Sequence, residues 1–168
     1  AEDDALSYAL SITGGNGTDS GLNDTLTGDD ILLRVDANGD IEGYLASDSN
    51  VVAFKIDIDL DTGDISLIQS RAIYHDDPAD PIEAGAAAES MAASLIVLTA
   101  TITDGDLDTA QATANIGDAF AFEDDGPSIS RNANTVPTLV TDDTDLTDTA
   151  GPVSFASLFP SAFGNDGF

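Results

Sequence analysis

The sequence predicts an all-β protein, an antiparallel β-sandwich with long loops and one or two short helical turns. Three observations carry that prediction. Apolar and polar residues alternate with a period of two in segment after segment, the mark of half-buried strands. Clusters of Gly, Asp, Asn and Thr separate those segments at short intervals. The 168 residues are 42% hydrophobic, enough for one packed core and too much for a disordered acidic tail.

Taken in order, "LSYALSIT" places Leu6, Tyr8, Leu10 and Ile12 on one face and Ser7, Ser11 and Thr13 on the other. "ILLRV" aligns Ile31, Leu33 and Val35, "DANGD" (residues 36–40) turns the chain, and "IEGYL" returns with Ile41 and Leu45. In "VAFKIDID", Val52, Phe54, Ile56 and Ile58 face inward while Lys55, Asp57 and Asp59 face water. "DTGD" turns again into "ISLIQSRAIY", and "SLIVLTATIT" and "AQATANIGDAFAF" follow. These give about eight or nine strands. The exceptions are short. "PIEAGAAAESMAA" (residues 81–93) reads as a helical turn or a long inter-strand loop. "FASLFPSAF" puts Phe155, Leu158, Phe159 and Phe163 at helical spacing interrupted by Pro160, as a one- or two-turn plug buried against the sandwich.

Charge narrows the function. Four Lys and Arg stand against 32 Asp and Glu, a formal net charge of −28. Such a chain repels itself and other polyanions, which argues against nucleic acid and anionic membranes as partners. Glutamate occurs only at positions 2, 42, 83, 89 and 123; the other acids are aspartates, mostly beside turn-forming residues. Asp-rich clusters at turns suit a hard cation that takes six to eight oxygens, and they favour Ca²⁺ over the scattered, Glu-rich surface of a salt-adapted protein. Cysteine is absent, so disulfides and thiolate metal sites are excluded. No apolar run reaches membrane-spanning length, and "AEDDALSYAL" does not read as a signal peptide, so the chain reads as a piece of something larger.

The candidate ligands follow from this. In "TDGDLDTA" (residues 103–110), Asp104, Asp106 and Asp108 alternate, and Gly105 supplies the freedom for their carboxylates to converge. Glu123, Asp124 and Asp125 of "FEDDGP" form a second cluster, separate from the first or shared with it. Asp19 and Asp24, and Asp76, Asp77 and Asp80, lie in long loops that can close further sites. Asp36, Asn38 and Asp40 open like an EF-hand, but Glu42 comes too soon to complete one, so a hairpin turn is the better reading. Asp57, Asp59 and Asp61 have an equally good explanation as a turn. His75 is the sole histidine, with no nucleophile motif around it, and no phosphate loop or zinc motif is present, so the chain reads as a non-enzyme.

"FKIDIDLDTGDISL" is similar to the cadherin pattern, and "LTATITDGDLDTAQATANI" with "DAFAFEDDGP" resembles a cadherin's last two strands and acidic exit. With "LSYALSITGGNGTDSGLNDTLTGDDILL", "TGDISLIQSRAIYHDDPADP" and "FASLFPSAFGNDG", nearly the whole chain resembles the repeat domain of giant type I-secreted RTX adhesins. That resemblance implies calcium-dependent folding, a place on the bacterial surface or outside the cell, and a role in adhesion or biofilm. For modules near the adhesin tip it implies capture of short peptides, by a C-terminal carboxylate or Asp, through a partly open Ca²⁺. Asp104, Asp106 and Asp108 then hold the ligand-binding ion, with the "HDDPADP" loop as the wall and Tyr74, His75 and Asp77 as further ligand contacts. The alternatives are a spacer repeat without ligand, calcium-dependent sugar binding, and a fragment of a secreted hydrolase. The expected partners are peptides or surface proteins of a host or neighbouring cell, with no membrane insertion and a monomeric unit in a long tandem chain. The chain is expected to form one domain over 1–168. In the resembled family "FASLFPSAFGNDG" precedes the "LSYALS" strand. Residues 129–168 therefore read either as the opening of the next repeat, docked on the sandwich, or as leftover linker.

Overall fold

The computed structural model describes residues 5–77 and 79–164. They fall into two compact units, one ending at Asp125 and the other spanning Gly126–Gly164. Pro78 of "HDDPADP" and the last residues of "FASLFPSAFGNDG" lie outside the described residues.

The first unit is all-β. Its strands are β1 (Ala5–Ile12), β2 (Thr18–Asn23), β3 (Asp30–Val35), β4 (Ile41–Leu45), β5 (Asp48–Ile58), β6 (Ile65–Gln69), β7 (Glu89–Ser90), β8 (Ile96–Thr103), β9 (Thr109–Asn115) and β10 (Ala121–Phe122). A five-stranded antiparallel sheet runs β2-β3-β4-β5-β6, and a three-stranded one runs β1-β8-β9. The short strands β7 and β10 pair separately. Period-two alternation sends one face of each sheet inward. Leu10, Ile12 and Ile96 of the small sheet meet Ile31, Leu33, Ile41, Phe54 and Ile56 of the large one in a single core. Phe54 and Phe122 close it, with ring centroids 5.0 Å apart and planes tilted by 49°.

The alternation holds along β5 only as far as Phe54. A register shift opposite Gly43 and Tyr44 inserts an irregularity, so Ala53 is buried beside Phe54 and Val52 is only half-buried. The expected inward position of Val52 is therefore corrected to Ala53. Gly43 faces Phe54 across the ladder, and a Cβ there would fall on the ring of that fully buried residue. Gly43→Ala should cost about 1–3 kcal/mol in urea unfolding with the m-value unchanged. An unaltered midpoint would mean that Phe54 has room to retreat.

The "DANGD" and "DTGD" stretches are hairpin turns, joining β3 to β4 and β5 to β6. Asp36 accepts the backbone N–H groups of Asn38 and Asp40 at 2.8 and 3.1 Å. Lys55 reaches Asp36, Asp40 and Asp57 at 3.5, 2.9 and 3.0 Å, and its hydrogen bonds to Asp40 first and then Asp57 raise its pKa against partial desolvation. The acids of that region thus have a protein cation. Residues 81–93 hold a three-residue 3₁₀ turn, Gly85–Ala87, and the short strand β7, and a second 3₁₀ turn (Ala93–Leu95) begins at their end.

The second unit pairs β11 (Ser128–Ile129) with β12 (Ser161–Ala162) and holds a 3₁₀ turn at Ala156–Leu158. Asn132 donates its backbone N–H to the Leu158 carbonyl at 2.9 Å and its side-chain amide to the Ser157 carbonyl at 2.7 Å. Leu158 is buried, but Phe155, Phe159 and Phe163 are 36%, 47% and 75% exposed. The expectation of four buried plug residues is corrected on that point. The turn lasts three residues and Pro160 follows it, so no helical face forms to bring the four side chains together.

Candidate functional site

Most of the acidity is not matched by protein cations. Of the four Lys and Arg, Arg34 is held by Glu42, Lys55 by its three aspartates and Arg71 by Asp24. Among the described residues, two carboxylate clusters bring three groups within 4.8 Å of one another: Asp104, Asp106 and Asp108, and Asp76, Glu83 and Glu89.

The first cluster is the tip of the β8–β9 hairpin. Asp104 donates its backbone N–H to the Asp108 carbonyl at 3.0 Å, and Leu107 donates to the Asp104 carbonyl at 2.9 Å. Leu107 has φ of 72°, so the tip is a three-residue loop closed by a left-handed residue. That residue is Leu107 and not Gly105, which corrects the role expected for the glycine. A bulky residue at positive φ is strained, and this one is 71% exposed with little packing to hold it there. The Asp104 carboxylate accepts backbone N–H groups from Asp106 and Asp108 at 3.3 and 3.0 Å. The Asp106 carboxyl, hydrogen-bonded to Asp104, and these two N–H groups hold Asp104 below the usual carboxylate range, against partial desolvation. Asp104 therefore organises the turn, and all three residues stay exposed.

Asp104 and Asp108 also line a cleft of about 560 Å³ with Ala5, Leu6, Ile102, Thr103, Thr109 and Ala110. Its floor is the uncovered end of the inner face of the small sheet. Leu6 pairs with Ile102 and Ile102 with Ala110, in the same phase as buried Leu10 and Ile12, yet Leu6 and Ile102 are about half exposed. The wall expected from the "HDDPADP" loop is not there. Strands β1, β8 and β9 supply the lining instead.

That loop builds the second cluster. β7 precedes β8 and β10 follows β9, so their pair sits at the end of the β8–β9 hairpin away from its tip. Glu83 is buried and accepts the backbone N–H of Asp77 at 2.7 Å, with Asp76 and Glu89 beside it. Carboxylates this close repel by about 3 kcal/mol per pair at an effective dielectric of about 20. Sequence reading missed Glu83 and Glu89 because they lie 7 and 13 residues beyond Asp76, in an Ala-rich stretch with no ligand spacing. The one available signal was their rarity, as two of five glutamates.

The remaining expected ligands separate. His75 is not an open contact: its side chain is buried, Nε2 donates to the Phe122 carbonyl at 3.0 Å, and Nδ1 lies 3.9 Å from Asp124. Tyr74 is exposed. Asp77 and Asp80 accept local backbone N–H groups from Ala79 and Ile82. Glu123 accepts the Gly85 N–H at 3.0 Å, and Asp124 donates its own N–H to the Glu83 carbonyl at 2.9 Å. Glu123 and Asp125 share a cleft of about 330 Å³ with Arg71. Neither they nor Asp124 join the hairpin cluster.

Asp19 and Asp24 belong to β2 and its end rather than to an open loop, since Ser20, Leu22 and Asp24 alternate inward. Asp19 accepts the Gly21 N–H at 2.8 Å. Asp24 is 1% exposed, and both its oxygens are taken: Arg71 donates to them at 2.6 and 2.9 Å, and Thr27 donates its N–H and hydroxyl at 2.9 and 2.8 Å. It is a structural anion with no lone pair turned to solvent, and the expectation that it binds metal is corrected.

Among the described residues no helix is long and apolar enough to cross a membrane. No curated protein and no solved structure matches the chain. A family model described as "Domain of unknown function (DUF5801)" matches residues 1–117, which takes in β1 to β9, the hairpin cluster and Glu83 and Glu89. The strands that build both sheets and both carboxylate clusters all fall inside that match, and the chain belongs to the DUF5801 family.

Proposed function

We propose that this chain is a calcium-dependent ligand-binding module of a bacterial surface adhesin of the type I-secreted RTX kind, and not an enzyme. The observation that carries this reading is the juxtaposition at the β8–β9 hairpin. Three exposed carboxylates lie within 4.8 Å, and two of them border an apolar cleft. The donor set fits a hard cation: all ligand atoms are carboxylate oxygens, no ion pair joins the group to a cation among the described residues, and turn carbonyls lie within the same loop. Calcium, when bound, supplies a divalent positive charge with exchangeable water positions. Asp106 and Asp108 hold the charge at the rim, Asp104 keeps the loop in shape, and Leu6, Ile102 and Ala110 provide the apolar surface. On so negative a molecule, a carboxylate ligand docks only where a cation reverses the local field.

The test is a set of short peptides, each with a free and an amidated C-terminus, titrated with calcium and with EDTA. Free-carboxylate peptides should bind in calcium only, and Asp106→Ala should remove that binding while the melting temperature in EDTA, where no site is loaded, stays within a few degrees. If amidation makes no difference, or if neither form binds, the carboxylate mechanism is wrong and the spacer reading replaces it. Calcium-dependent binding of simple sugars in place of peptides would transfer the site to carbohydrate.

A further inference from the structure

The backbone of β9 shows how a peptide would be held at this site, an inference that rests on the peptide-binding reading above. β9 is the outermost strand of its sheet and all seven of its residues are exposed. Two hydrogen bonds fix which way its amides point. Ile116 donates to the Ile96 carbonyl at one end and Asp104 donates to the Asp108 carbonyl at the other. Both pairs belong to the single register that matches Val97 with Asn115 and Thr103 with Thr109. In an antiparallel ladder, bonded pairs alternate with unbonded ones. Ala110, Ala112 and Ala114 therefore bond to β8, while Thr109, Gln111, Thr113 and Asn115 turn their N–H and C=O groups away from the sheet.

Among the described residues no strand pairs with that edge. Exposed edges are ordinarily blunted by charge, proline or a bulge. In a chain with 32 acidic residues, β9 reads "TAQATAN", with no charge and no proline, and its register with β8 is unbroken. On the inner face its side chains are three alanines, in line with Ile102, Ala100 and Leu98, so an added strand would meet no bulky side chain there.

We infer that a short extended peptide adds to β9 as a fourth strand, antiparallel to it. Electrostatics selects this occupant over a second copy of the chain, because two copies each carrying −28 repel and their uncharged edges offer no compensating ion pairs. β9 runs away from the hairpin tip, so an antiparallel peptide runs towards it and delivers its C-terminal carboxylate beside Asp104, Asp106 and Asp108. Every second side chain of the peptide falls on the inner face, beside the three alanines of β9. The ligand class is therefore a C-terminal segment of about five to seven residues, the number that spans the roughly 20 Å of β9, with apolar residues at alternate positions.

The experiment uses the whole chain in calcium and an acetylated hexapeptide of alternating threonine and valine with a free C-terminus. A set of variants of this peptide each carries one backbone N-methyl group. Methylation at alternate positions should weaken binding about tenfold, with little change at the positions between. On the protein, amide exchange should slow on binding at Gln111 and Thr113 and stay unchanged at Ala110, Ala112 and Ala114. Thr113→Pro, which removes an outward N–H at an edge where proline is tolerated, should weaken binding by a similar factor with the melting point retained. Calcium-dependent binding that tolerates methylation everywhere, with no protection at Gln111 or Thr113, overturns strand addition and leaves the carboxylate reading standing. A dimer of the chain that forms through β9 also overturns it. No calcium-dependent binding of any free-carboxylate peptide overturns both.

Discussion

Millimolar calcium should raise the thermal midpoint of this protein by about 10–20 °C over the same protein in EDTA at matched ionic strength. Among the described residues, two carboxylate clusters have no ion pair to a protein cation, and one contains the buried Glu83. A ligand that binds only the folded state at 100 times its Kd adds about 2.7 kcal/mol per site. Two sites give about 5 kcal/mol, and in a chain of this size each kcal/mol moves the midpoint by about 2–4 °C. Glu83→Gln gives the sharper signature. The amide keeps an oxygen for the Asp77 N–H but removes a charge from beside Asp76 and Glu89. In EDTA the variant should melt above the parent, because like-charge repulsion is relieved. In calcium it should melt below, because a ligand is lost. Equal midpoints of the parent with and without calcium would refute calcium-linked folding. A Glu83→Gln variant that shifts the same way in both conditions would remove the second cluster from it.

Arg71→Met should destabilise the fold by about 3–5 kcal/mol, among the largest effects of any single substitution here. It leaves Asp24 charged and 1% exposed, with only Thr27 donating to it. The double variant Asp24→Leu with Arg71→Met should recover more than half of the loss, since it removes the orphaned charge along with its partner. Acid titration gives an independent check. The Arg71 hydrogen bonds, opposed by burial and aided by Thr27, hold the Asp24 carboxyl down at about 2, against an ordinary 3.8. A depressed carboxyl contributes stability that is fully present above its unfolded value and is lost as pH falls through its folded value. The window is thus pH 4 to 2, and the amount is about 2 kcal/mol. Unfolding free energies from urea titrations in EDTA should fall across that window by about 2 kcal/mol more in the parent than in the double variant. Parallel profiles would show that Asp24 titrates alike in both states.

The β character of this chain was legible in its residues because the cause is local. Leu10 and Ile12, Ile31 and Leu33, and Ile56 and Ile58 alternate with polar neighbours, and a period of two admits one regular structure with a buried face. The "DANGD" and "DTGD" hairpins were legible for the same reason: an Asp side chain caps its own turn two residues on. The hairpin triad was legible because three aspartates at alternate positions of one tight turn stay close in space whatever the rest of the chain does. What the sequence could not determine depends on which distant segments meet. Asp24 looks like any loop aspartate until Arg71, 47 residues away, closes on it. Glu83 and Glu89 join Asp76 only because the long loop before β8 folds back onto β10. His75, read as a surface contact, is turned inward by the carbonyl of Phe122. Alternation named which residues of β1 and β8 face inward, but it could not say that the opposing sheet would leave Leu6 and Ile102 uncovered. Periodicity records the face a side chain takes on its own strand. Only the packing of one sheet on the other decides where that face is covered, and so where a cleft opens beside the carboxylates.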